Sequence, residues 1–103
     1  MLAYLIDPND QTITQHEVSD ANLIRDMQRL IGCGMMDKAT FTRDADQVWV
    51  DDTGLIDGLK RFSIATYGHP LAGKAVVIGC DPRTGEARDP QVSVDDLRMM
   101  VRF

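Results

Sequence analysis

The amino-acid sequence predicts an α+β fold: a mainly antiparallel meander sheet of about five to six strands, with an amphipathic helix packed on one face and a short C-terminal helix. Two observations carry this. Val48-Trp49-Val50-Asp51-Asp52, Arg61-Phe62-Ser63-Ile64-Ala65-Thr66-Tyr67 and Lys74-Ala75-Val76-Val77-Ile78-Gly79-Cys80 follow one another with only turn chemistry between them, the pattern of consecutive antiparallel strands. Leu23, Ile24, Met27, Leu30 and Ile31 recur at one-sided helical spacing. The 103 residues form a single domain, 1–103. That length buries roughly 60–70% of its unfolded surface, so the core needs no metal or disulfide.

From the N-terminus, Leu2 to Ile6 is a short β run closed by the turn signal Asp7-Pro8-Asn9-Asp10. Thr12 to Val18, β-branched but polar, suits an edge strand paired with it as a hairpin. Ser19 or Asp20 is placed to cap the helix that follows, and Gly32 to end it in a left-handed conformation. Ala39 to Arg43 and Gln47 to Asp51 read as a hairpin around Asp44-Ala45-Asp46. Lys74 to Cys80 is apolar on both faces, which places it at the centre of a covered sheet. Asp81 to Gln91 is polar loop with a turn at Arg83-Thr84-Gly85-Glu86. Ser93-Val94-Asp95-Asp96 resembles a helix start, with Val94, Leu97, Met100 and Val101 facing inward.

The balance of charge, −5, argues against direct nucleic-acid binding, whose affinity comes largely from cations on phosphates. The eleven Lys and Arg are scattered, while the acidic residues are fourteen Asp and two Glu. Asp7, Asp10, Asp57, Asp81 and Asp89 neighbour Gly, Pro or Asn, company in which Asp bonds its own backbone in turns. No apolar run approaches the ~20 residues of a membrane helix, and no signal peptide is visible. A cytoplasmic location and no membrane partner are therefore expected. Cys33 and Cys80, outside any Cys-x-x-Cys pair, are expected to be reduced.

Two motifs invite a chemical reading and fail it. Gly68-His69-Pro70-Leu71-Ala72-Gly73-Lys74-Ala75 has phosphate-loop spacing, but Ala75 stands where a magnesium-binding hydroxyl belongs. A strand, not a helix, follows Lys74, so no N-terminal amides face a phosphate. Asp51, Asp52, Asp81 and His69 could be drawn as an acid–base or metal site. In a meander, however, Asp51, Asp52 and Asp81 finish at one end of the sheet and His69 at the other. The aspartates would then stand two strands apart, roughly 9–10 Å, too far for shared coordination at ~2.0–2.6 Å. His16, His69, Cys33 and Cys80 lack paired zinc spacing. Cys33 could be reactive only beside a cation that the sequence does not place. No catalytic residue, metal or cofactor is predicted.

Six methionines are numerous for this length. Met27 and Met100 are core by periodicity, whereas Met35, Met36 and Met99 fall off the apolar faces. Methionine is over-used at binding surfaces. These three, with Trp49, Tyr67 and His69, are the candidate protein-binding residues. Trp49 points opposite Val48 and Val50, so a sheet covered on both faces would bury it.

Ala3-Tyr4-Leu5-Ile6-Asp7-Pro8, Leu30-Ile31-Gly32-Cys33, Val50-Asp51-Asp52-Thr53-Gly54-Leu55 and Pro70-Leu71-Ala72-Gly73-Lys74-Ala75-Val76-Val77-Ile78-Gly79 together resemble a small family catalogued as a domain of unknown function. It occurs in bacteria, plasmids and phages. The resemblance spans roughly residues 2–81, and the Pro-Leu-Ala-Gly stretch is its most specific part. It brings no activity, cofactor or catalytic residue, and implies a mobile-element or accessory role over a metabolic one. The expected function is thus a small protein-binding or regulatory module, with a protein partner or a homodimer. The alternatives are an acidic inhibitor of a nucleic-acid-binding defence protein and a metal- or thiol-dependent enzyme.

Overall fold

The computed structural model describes residues 1–40, 46–54 and 56–103. The chain runs β1 (Leu2–Asp7), β2 (Thr12–Glu17), α1 (Leu23–Ile31), β3 (Met36–Thr40), β4 (Gln47–Asp51), β5 (Arg61–Ile64), β6 (Leu71–Ala72), β7 (Ala75–Cys80), β8 (Ala87–Arg88), α2 (Val94–Met100) and β9 (Val101–Arg102). The main sheet has the order β2-β1-β7-β4-β3, with β8 also on β7, and a second, smaller sheet has the order β6-β5-β9. Every pairing is antiparallel. The α+β class, the antiparallel sheet and the two helices are as the sequence predicts.

Strand order in the middle third departs from the meander. β4 lies directly against β7, with Gln47 opposite Ile78 and Val50 opposite Ala75. β5 stops at Ile64 and joins the second sheet instead, pairing with β6 and with the C-terminal β9. The physical reason is the double apolar face of β7. Val76 and Ile78 pack with Met27 and Ile31 of α1 on one side, while Ala75 and Val77 need a second cover. Phe62 and Ile64 of β5, Leu71 of β6, Leu97 of α2 and Val101 of β9 supply it. β5 is recruited as a lid over the sheet and is thereby lost as a member of it.

Local signals are read mostly as expected. Gly32 closes α1 at φ 79° and its N–H donates to the Gln28 carbonyl. The Ser93 hydroxyl accepts from the Asp96 N–H at the start of α2. The cap of α1 is Asn22, not Ser19 or Asp20, and Ile24 faces water, 59% exposed. Met36 and Asp37 extend β3 ahead of the expected start at Ala39, and residues 41–45 of the expected hairpin lie outside the described residues. Lys38 sits midway along the outer strand β3, the kind of charge that discourages edge-to-edge pairing.

Asp46, read as a turn residue, is completely buried. Its Oδ1 accepts from Gln91 N–H at 2.8 Å and its Oδ2 from Val92 N–H at 2.9 Å. The Tyr4 hydroxyl donates to the Val92 carbonyl at 2.8 Å. Val92 is therefore held from both sides, which ties the 90–92 segment across the end of the sheet. Gly79 shows why this layer is tight. A Cβ there would stand 2.2 Å from the Asp89 carbonyl oxygen, so only glycine lets the backbone pass.

Candidate functional site

The β4–β7 pairing changes where the reactive side chains lie. Because β4 and β7 are antiparallel neighbours, Asp51 leaves the sheet at the Ala75 end and Asp81 at the opposite end. The expectation that Asp51, Asp52 and Asp81 share one end, with His69 at the other, is overturned. His69 instead joins Asp51 and Asp52 in a cleft of about 410 Å³. Val50, Leu71 and Ala72 are buried in its wall, and Asp37, Tyr67 and Ile56 also line it.

Each wall is held by an identifiable contact. Asp37 stands opposite Val50 in the β3–β4 register. The turn after β4 is tied down because Asp51 Oδ1 accepts from Thr53 N–H at 3.0 Å and from Thr53 Oγ1 at 3.2 Å. Thr53 Oγ1 lies 2.7 Å from Asp57 Oδ2. Asp52 N–H donates to the Met35 carbonyl at 3.0 Å, joining that turn to the start of β3. Gly54 lies against β6, where a Cβ would come 2.8 Å from the Ala72 carbonyl oxygen. On the far wall, His69 meets Tyr67 edge-on, with ring centroids 6.0 Å apart and planes at 74°. The stretch that looks like a phosphate loop is thus the wall of a cleft. Lys74 enters β7 and its Nζ lies 4.0 Å from Asp7 Oδ2.

Asp51 also acts inward. Burial first, and the Asp51 carboxylate second, push the Cys33 thiol above its ordinary value. That is the opposite of what a nucleophilic cysteine needs. Both cysteines are free thiols. Among the described residues, no three of His, Cys, Asp and Glu form a group able to hold a metal ion. Asp81 serves its own turn, with Oδ1 accepting from Arg83 N–H at 2.9 Å. His16 lies beside Thr14 on β2, ring Nε2 to Oγ1 2.8 Å.

The six candidate binding residues do not form one surface. Tyr67 and His69 line the cleft. Met35 is 72% exposed and borders it through its carbonyl bond to Asp52. Met36 and Trp49 lie on the opposite face of the sheet, partly buried against the α1 cluster, and the Trp49 indole N–H donates to Gln47 Oε1 at 3.2 Å. Met99 is 84% exposed on α2 and does not line the cleft. Ile56, 86% exposed, is the cleft residue that sequence reasoning missed. Its signal was an isoleucine stranded in a turn between Gly54 and Gly58.

No helix among the described residues is long and apolar enough to cross a membrane. No solved structure matches the chain. A relative from Sinorhizobium fredii (strain NBRC 101917 / NGR234), named "Uncharacterized protein y4iR", is 32% identical over 99 residues. The alignment takes in 92% of this chain and 58% of the relative, so the chain spans little more than half of that protein's length. The family model described as "Domain of unknown function (DUF3846)" matches residues 1–101, and the chain belongs to that family.

Proposed function

We propose that this domain is a small cytoplasmic protein-binding or regulatory module, of the accessory kind carried by mobile elements, that docks a partner through the cleft between the 51–57 turn and the 67–72 segment. One observation carries the reading: Ile56, 86% exposed, lines a cleft with an apolar wall of Val50, Leu71 and Ala72, and the backbone of the exposed Met35 is bonded to its rim at Asp52. Isolated surface apolar residues need no explanation, but apolar residues gathered beside a cleft suit a contact surface. The carboxylates are better suited to recognition than to catalysis, because Asp51 is occupied in its turn and His69 abuts an aromatic ring.

The acidic-inhibitor reading needs carboxylates arrayed along one surface in the manner of phosphates. Asp46 is buried, while Asp7 and Asp81 are taken up by their own turns at separate places, which weakens that reading. The test is site-specific photo-crosslinking in native cells from Ile56 and, separately, from Met99. Docking through the cleft gives a discrete adduct from position 56 and none from 99; an adduct with a second copy of the chain identifies a homodimer. Absence of any adduct from position 56 overturns the proposal.

A further inference from the structure

The cleft joins an apolar wall to a one-signed rim. Asp37, Asp51 and Asp52 line it, and among the described residues no Lys or Arg does. Arg61, although opposite Ala72 in the β5–β6 register, stays outside the lining. A neutral partner seated here would strip water from carboxylates and return nothing, which costs affinity. A partner that brings a cation would replace that water with an ion pair. The partly buried Tyr67 and the exposed His69, which line the cleft, narrow the choice further. A planar guanidinium can stack on an aromatic face while its edge hydrogen-bonds a carboxylate, and a compact ammonium does this less well.

We infer that the cleft takes an arginine side chain carried on an apolar segment of the docking partner, its guanidinium between Tyr67 and the Asp51–Asp52 rim and the flanking apolar residues on Ile56 and Leu71. This inference rests on the docking reading and specifies the chemistry of the occupant.

The test is an amide-resolved NMR titration of the intact domain with acetyl-Leu-Arg-Leu-amide, and with the same peptide carrying citrulline in place of arginine. Citrulline keeps the shape and removes the charge. The expected result is saturable shifts at residues 51–56 and 67–72 with the arginine peptide, and at least threefold weaker binding of the citrulline peptide. Added salt should weaken the arginine peptide's binding alone. Asp52→Asn, at an exposed side chain, should weaken the arginine peptide by about two- to fivefold while the rest of the spectrum is unchanged. Equal shifts from both peptides, or no shift from either at millimolar concentration, overturn the inference. Crosslinking from Ile56 is a separate observation, so docking can stand where the arginine assignment falls.

Discussion

Replacing the buried Asp46 should cost more stability than any other single carboxylate in the described residues. In Asp46→Ala two charge-assisted bonds are lost, those from Gln91 and Val92 N–H at 2.8 and 2.9 Å. Bonds to charged acceptors contribute about 1.5–3 kcal/mol each. Gln91 is exposed and its freed amide can turn to water, whereas Val92 is partly buried, so the lower half of the summed range applies, about 3 kcal/mol. Against a typical total of about 5–15 kcal/mol this is a large fraction. In urea, with a slope of about 1.5 kcal/mol per molar, the midpoint should fall by about 2 M. Asp46→Asn keeps one acceptor and escapes the cost of burying charge, so about 1–2 kcal/mol is expected. Because the Tyr4 hydroxyl holds the Val92 carbonyl, Asp46→Asn and Tyr4→Phe share a partner and should be non-additive in a double-mutant cycle. Faster hydrogen exchange at the Val92 amide would locate the loss. A midpoint shift below about 0.5 M for Asp46→Ala would refute the reasoning, since the carboxylate would then be only filling space.

Tyr4 is raised above the ordinary phenol value of 10.0 by burial first, then by Asp46 and Asp89. Its ionised form is therefore disfavoured in the folded state, so the unfolded chain loses the proton first; stability from this group holds below pH 10 and falls as pH rises beyond it. Urea midpoints at pH 8 and pH 11 should differ less in Tyr4→Phe than in the parent, and an equal decline would refute the assignment. Gly79→Ala drives a Cβ to 2.2 Å from the Asp89 carbonyl and should cost about 2–4 kcal/mol. Gly34→Ala, with nothing within 4 Å, should be neutral or stabilise by about 0.5 kcal/mol, both read from urea midpoints. Alkylation of Cys33 by iodoacetamide, followed by peptide mass spectrometry across pH, should have a midpoint above that of a free thiol. Asp51→Asn should move it down, and an unmoved midpoint would mean that burial alone is responsible.

Much of this fold is written locally. Gly32, the Ser93–Asp96 pair and the Asp7-Pro8-Asn9-Asp10 turn each act within a few residues of themselves, and each is found where its chemistry places it. The alternation of Phe62 and Ile64 against Arg61 and Ser63 correctly tells which side chains turn inward. It does not tell which strand lies alongside, because a period of two fixes a face and leaves the neighbour open. β6 is two residues long, too short to show any period. Asp46 gives no local sign of its role, since its partners are 45 and 46 residues away and an Asp-Ala-Asp run has the composition of an ordinary turn. The α1 cap lies at Asn22, whose side chain makes no cap bond, so packing of Met27 and Ile31 on the sheet, and not capping chemistry, sets where the helix starts.

The candidate site was missed through one inference about neighbours, and the composition of β7 contains what is needed to repair it. A strand apolar on both faces demands two covers. A single amphipathic helix, α1, can supply only one. The second had to come from the apolar segments left over, which are residues 61–72 and the C-terminal Leu97 and Val101, and these are the ones that pack there. Once residues 61–72 are taken out of the sheet to serve as a lid, β4 and β7 are free to meet. The lid must then return to β7 across the end of β4. That crossing sets His69 and Tyr67 beside Asp51 and Asp52, and the cleft follows from the same demand for burial that removed β5 from the sheet.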